Sequence, residues 1–142
     1  MNGNVLLTGG HHEDVGRFSK AELYDPATGA FGYTMSMPFP RDLHTATRLA
    51  SGKVLIAGGE SFGDCDSTGC AIFSVTGAEV YDVNGIAWTA VGPMKVPRET
   101  HRDTLLKDGR VLITGGLTFK GGLNRPVEFT ILNSAELYTE RP

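Results

Sequence analysis

The residues of this chain that could do chemistry fall into a few groups. His44 and His101 each stand three residues after an arginine, Arg41 and Arg98. Imidazoles lining a channel could ligate a metal or move protons near neutral pH. The pairs recur at one spacing, however, and a recurring position is expected to be structural, bonding one unit to the next. A second group, His11, His12, Glu13 and Asp14, sets two imidazoles beside two carboxylates, donors suited to a divalent cation. Neighbouring side chains of an extended segment point opposite ways, so a solvated loop able to contact a ligand is expected there.

The third group is Asp64-Cys65-Asp66-Ser67-Thr68-Gly69. Carboxylates two apart, then hydroxyls and a glycine, reproduce the opening of a calcium loop. Val75 stands where the bidentate glutamate of such a loop belongs. Asp64, Asp66 and Thr68 are therefore candidates for loop binding, Asp64 and Asp66 for calcium, and no metal site is assigned. Cys65 and Cys70 would form a small surface disulfide or remain two thiols. A bridge would point to an extracellular or periplasmic setting. The double glycines Gly9-Gly10, Gly58-Gly59 and Gly115-Gly116 lack the Lys-Ser/Thr and following helix of a phosphate loop. They are expected to permit a backbone that a Cβ would forbid. No nucleophile–base pair, zinc constellation or carboxylate pair stands above this background, and no cofactor is expected.

The elements that position these residues repeat. Asn4-Val-Leu-Leu-Thr-Gly-Gly10, Lys53-Val-Leu-Ile-Ala-Gly-Gly59 and Arg110-Val-Leu-Ile-Thr-Gly-Gly116 are three versions of one segment. Each is followed by Ala21-Glu-Leu-Tyr-Asp25, Ala78-Glu-Val-Tyr-Asp82 or Ala135-Glu-Leu-Tyr-Thr139. Tyr24, Tyr81 and Tyr138 are spaced by 57 residues (81 − 24, 138 − 81), as are Arg41 and Arg98, His44 and His101, and Phe31 and Trp88. The first unit is shorter by eight residues between Gly10 and Tyr24 (58 − 9 = 49 against 115 − 58 = 57).

Every piece reads as strand. Val54–Ala57 and Val111–Thr114 are apolar runs bounded by glycine, suited to burial on both faces, so Leu55 and Leu112 are expected to be core residues. Ala-Glu-Leu-Tyr-Asp alternates in period two, and Asp25-Pro26-Ala27-Thr28-Gly29 is a turn. Further strands are expected at Tyr33–Ser36, Thr89–Gly92, His44–Leu49 and His101–Leu106. That makes ten core strands in three sheets of three, four and three, with the intervening loops adding short extras. Tyr24, Tyr81, Tyr138 and Trp88 are expected to pack between sheets.

Composition agrees. Of 142 residues 19 are glycine, which suits many tight turns, and 40% hydrophobic content suffices for one core. The net charge of −3 and the absence of a basic cluster argue against nucleic acid or an anionic membrane as partner. No apolar stretch approaches the roughly 20 residues of a membrane helix, and Met1–Leu7 has no signal-like basic or apolar stretch.

Pro-Arg…His, apolar-run-Gly-Gly, Glu-x-Tyr-Asp and Trp/Phe in this order resemble the kelch repeat, closest to bacterial kelch proteins related to the central propeller of galactose oxidase. The resemblance covers nearly the whole chain. It implies an all-β fold of kelch-type propeller blades, four antiparallel strands each, in blade-like units of about 1–36, 37–92 and 93–142 within one domain. The His-containing strand would be innermost and the Trp-containing strand outermost, with Arg41 and Arg98 bonding loop backbone. The copper oxidases of that group use a Tyr–Cys crosslink with His and Tyr ligands. Neither Cys65 nor Cys70 is placed for one, so those roles are not carried over. Because repeat units bury their faces only against neighbours, the end blades should expose apolar surface and favour a homo-oligomer or a longer propeller. The expected function is a non-catalytic binding or scaffold module that uses its loops for a protein or carbohydrate ligand. The alternative is a segment of a larger kelch-containing enzyme, an oxidase or carbohydrate-active protein, with catalytic residues elsewhere.

Overall fold

The computed structural model describes residues 3–67, 69–122 and 125–141. The chain starts with β1 (Val5–Thr8), the short pair β2 (His11–His12) and β3 (Gly16–Arg17), β4 (Ala21–Asp25) and β5 (Ala30–Tyr33). Then come β6 (Thr45–Arg48), β7 (Val54–Ala57), β8 (Glu60–Asp66), β9 (Gly69–Ser74), β10 (Ala78–Asp82) and β11 (Ala87–Ala90). The last are β12 (Arg102–Leu105), β13 (Val111–Thr114), β14 (Leu117–Gly122), β15 (Arg125–Ile131) and β16 (Ala135–Tyr138).

Three antiparallel blade-like sheets carry the repeat: β1-β4-β5, β11-β10-β7-β6 and β12-β13-β16. They hold three, four and three strands, the expected ten. Register is the same in each, with Val5 opposite Tyr24, Val54 opposite Tyr81 and Val111 opposite Tyr138. The outer strands lie three and two residues earlier than expected, at Ala30–Tyr33 and Ala87–Ala90 rather than Tyr33–Ser36 and Thr89–Gly92. The cause is the aspartate that ends the third strand. Asp25 Oδ1 accepts from Ala27 N–H, and Asp82 Oδ1 from Asn84 N–H, each at 2.9 Å. Such a turn reverses the chain at once, so Asp25 pairs directly with Ala30 and Asp82 with Ala87.

The intervening loops add strands, as expected, but longer ones than the short extras foreseen. Here β8 pairs with β9 and β14 with β15 as long hairpins, and these join through β9 and β14 into a fourth sheet, β15-β14-β9-β8. Their glycines and polar residues mask an alternation of Phe62, Phe73, Phe119, Val127, Phe129 and Ile131 with other residues.

The core lies where the middle sheet meets the third: Leu55, Ala57, Ala78 and Val80 pack with Val111 and Ile113, joined by Leu49 and Met94. Ile56 and Tyr81 are fully buried as well, so β7 is covered on both faces. The sheets approach closely because of glycine. Gly58 has φ 61°, and a Cβ there would lie 2.4 Å from the Arg98 carbonyl of the next sheet. Leu112 is a correction. It is only half-buried, because it faces away from the middle sheet and lies opposite the exposed Leu137.

Leu55→Ala should therefore cost about 2–5 kcal/mol, the range for a fully buried leucine, and Leu112→Ala distinctly less. Urea unfolding of both variants measures this. Equal losses would contradict the one-sided cover of the third sheet.

Candidate functional site

Each repeat arginine precedes an inner strand and reaches across the end of its own sheet. Arg41 Nη1 donates to the carbonyls of Gly58 and Gly77, both at 3.1 Å, and Nη2 lies 2.9 Å from each Glu79 carboxylate oxygen. Arg98 repeats the clamp with the Gly115 carbonyl at 2.8 Å, the Ser134 carbonyl at 3.4 Å and Glu136 Oε1 at 3.0 Å. Both guanidinium groups are buried. Burial pushes the Glu79 carboxyl up even against the attraction of Arg41. Burial also pushes Glu136 up, but hydrogen bonds from the N–H groups of Lys95 and Val96 and from Arg98 bring it below its ordinary value.

The histidines act between sheets. His44 Nε2 lies 2.8 Å from Thr8 Oγ1, and His101 Nε2 2.9 Å from Thr45 Oγ1. Thr45 gives its own proton to Asp103 Oδ2 at 2.7 Å. The hydroxyl must therefore accept from His101, which fixes the neutral Nε2–H tautomer. Burial lowers the pKa of both imidazoles to about 4, helped by Arg41 at His44 and by Arg98 at His101. Tyr81 and Trp88 also cross a boundary: the Tyr81 hydroxyl bonds Thr34, and Trp88 Nε1 donates to the Met35 carbonyl at 2.7 Å. The Tyr81 and Trp88 rings lie 4.9 Å apart, as the Tyr24 and Phe31 rings do at 4.8 Å. Tyr138 packs half-buried against the core.

The remaining candidates separate. His11 turns in to Asp42 at 2.8 Å, while His12 turns out and its Nδ1 accepts from Asp14 N–H at 3.2 Å. Glu13 and Asp14 are exposed in the turn between β2 and β3. Asp64 and Asp66 lie exposed on β8. Thr68, named with them, lies outside the described residues. Cys65 and Cys70 face each other across the hairpin and are joined as a disulfide. Among the described residues, no three His, Cys, Asp or Glu side chains are grouped so as to hold a metal ion.

Sequence reasoning missed a charged cluster around Arg17. Its Nε donates to Asp42 Oδ1 at 2.9 Å and its Nη2 pairs with Glu60. Close by, Glu99 accepts from Ser74 Oγ at 2.8 Å and is pushed up by burial. Asp42 and Glu99 carry a usable signal, since both are acidic and both follow the repeat arginine. Arg17 carries none, because it lies in the shortened stretch that has no counterpart.

An open apolar surface belongs to β15. Val127, Phe129 and Ile131, on one face of this strand, are exposed at 63%, 64% and 78%. β15 is also the edge of its sheet, paired with β14 alone.

The buried imidazoles set a pH dependence. An unfolded histidine takes a proton near 6.5, whereas these stay neutral down to about 4. Their contribution is complete above 6.5 and is lost as the pH falls from 6.5 to about 4. Glu79, Glu99 and Asp103, raised by burial, titrate with the opposite sign, so a difference measurement isolates the imidazole. Wild type should lose melting temperature more steeply than His44→Asn across that window. Parallel curves would mean that His44 is not held neutral.

No family model and no curated protein matches the chain. Solved structures do. One, the structure of YjhT, superposes with TM-score 0.63 at 19% identity over 82% of this chain and 32% of that one. Another, a fungal alcohol oxidase of the AA5 family in complex with copper, superposes with TM-score 0.64 at 18% identity over 81% of this chain and 24% of the oxidase. This chain thus spans about a third and a quarter of these two proteins, and at such identities the likeness is one of fold. The chain is an all-β protein built of propeller-type blades.

Proposed function

We propose that this chain is a non-catalytic kelch-repeat module that binds protein through the sheet raised on its hairpins. The exposed edge strand β15 carries this reading. Leu132 N–H donates to the Gly116 carbonyl, so residues 128 and 130 turn their backbone groups to β14. Residues 127, 129 and 131 then present N–H and C=O outward. Unpaired edge groups beside an apolar stripe are a template for another strand. They suit an extended polypeptide better than a carbohydrate, which asks for polar side chains.

The simplest partner is a second copy. Two β15 strands related by a two-fold axis at Phe129 put Val127 against the partner's Ile131 and Phe129 against its equivalent. The outward-facing residues then meet as hydrogen-bonded pairs. Burying such side chains fully contributes roughly 1.5–3 kcal/mol each. The disulfide of β8–β9 supports an extracellular or periplasmic setting. A second reading, a segment of a larger kelch-containing enzyme, draws on the match to 24% of the copper-bound alcohol oxidase. Its catalytic groups would lie outside these residues.

Light scattering across a concentration series tests the module reading. Wild type should approach twice 15.2 kDa, and Phe129→Lys should stay at the monomer mass. A monomeric wild type at every concentration would overturn pairing of like with like. Association that survives Phe129→Lys would move the contact to the end sheets.

A further inference from the structure

The two cysteines of the chain form their bridge where two hairpins meet. Cys65 and Cys70 lie directly opposite each other near the end of β8–β9, Cys65 exposed and Cys70 half-buried. Their sequence separation is 5. So short a ring removes little freedom from the unfolded chain, so the bridge adds little to global stability and acts locally. Locally it has much to hold. The register of the hairpin shifts between Phe62 and Cys65, and beyond that point only Cys65 with Cys70 and Asp66 with Gly69 are paired among the described residues.

The backbone of Cys70 carries the effect to the neighbouring hairpin. Phe119 N–H donates to Ser74 Oγ on β9 at 2.7 Å. Phe119 and Gly121 therefore turn their backbone groups to β9, and Lys120 turns its own to β15. Gly121 lies opposite Ile72, so these two exchange the hydrogen bonds of the junction. Among the described residues, the ladder between β9 and β14 is two pairs long, Phe73 with Lys120 and Ile72 with Gly121. Cys70 stands two residues before Ile72 and faces the same way. Its carbonyl comes so near Gly122 that a Cβ there would lie 2.2 Å from it, and Gly122 has φ 82°. One end of the short ladder is thus seated by the residue whose sulfur is in the bridge.

We propose that Cys65–Cys70 is a redox latch on the fourth sheet, opened by a dithiol reductant. A thiolate of the reductant attacks Cys65 Sγ, at the more exposed residue of the pair. The S–S bond breaks, and Cys70 leaves as a thiolate that takes up a proton. The second thiol of the reductant then displaces Cys65 from the mixed disulfide. Two electrons and two protons pass to the protein, and the reductant departs as its own disulfide. With the bridge open, the hairpin beyond Phe62 separates, Cys70 moves off Gly122 and β9 comes away from β14. The fourth sheet divides into two hairpins, while the three repeat sheets, which the bridge does not touch, stay folded. The latch does not rest on the pairing proposed for β15.

Dithiothreitol added to the folded full chain tests this by thiol titration and amide hydrogen exchange. With 2 cysteines in the chain, both bridged, the titration should rise from none to 2 thiols. The amides of Ile72 and Gly121 should then exchange about tenfold or more faster, as for a local opening, while those of β7 and β13 keep their protection. Reoxidation should restore slow exchange in the same molecules. The double variant Cys65→Ser with Cys70→Ser should show the fast exchange without reductant and no response to it. Thiols that appear only as β7 and β13 lose protection would overturn the latch. So would unchanged exchange at Ile72 and Gly121 in the fully reduced protein.

Discussion

One interaction sets the geometry of each complete sheet: a buried guanidinium that holds three strands together at one end. Arg41 starts from the segment leading into β6, takes the carbonyl of Gly58 after β7 and the carbonyl of Gly77 before β10, and closes on Glu79 within β10. Backbone carbonyls at a strand end are costly to bury without donors. A planar, permanently charged fork satisfies several of them at once where a lysine could not. Because the clamp fixes where β7 ends, it also fixes where the long hairpins leave the sheet. The β8–β9 hairpin stands on that exit, and the Arg98 clamp on Gly115 and Ser134 sets the exit of β14–β15 in the same way.

The clamp and the close approach of sheets are coupled through the same residues. The carbonyl of Arg98 is the atom that a Cβ on Gly58 would strike, and it also accepts from Gly59 N–H at 2.9 Å. Arg98 thus holds its own sheet with its side chain and touches the preceding one with its backbone. Packing of Leu55 and Val80 against Val111 and Ile113 follows from that spacing, and the neutral imidazole of His101 fills the same boundary.

Much of this was legible in the sequence, and the limits have physical causes. The ten core strands were marked because a strand that must pair in the same register in every sheet keeps its apolar positions and its turn residues. Tyr24, Tyr81 and Tyr138 mark one row, and the double glycines mark another. The hairpins were harder to read because they are exposed, and exposure relaxes the demand for apolar residues on both faces. Only Val127, Phe129 and Ile131 kept a clear alternation, within a segment interrupted by Pro126. In the candidate site, the arginines and histidines stood out by spacing, as did Glu79 and Glu136 within the repeated Glu-x-Tyr segments, but the hydroxyl partners did not. Thr8, Thr34 and Ser74 are small hydroxyl residues whose role comes only from what is folded against them. Arg17 meets Asp42 and Glu60 across distances along the chain that no local pattern records.

The joining of β9 to β14 bears on how the chain comes apart. Stacked repeats usually behave as a one-dimensional array, in which each unit has its own stability and each boundary adds a separate term. A ladder of backbone hydrogen bonds across a boundary changes that arithmetic. The hairpin of the middle sheet cannot be released without stripping the hairpin of the third, so these two sheets form one cooperative block. The first sheet meets the second through side chains, His44 to Thr8 and Trp88 to Met35, and through single backbone hydrogen bonds such as Gly10 N–H to the Arg41 carbonyl at 3.1 Å, but through no strand ladder among the described residues. Denaturation should therefore begin as a subglobal opening of the first sheet, with the other two surviving as a common foldon.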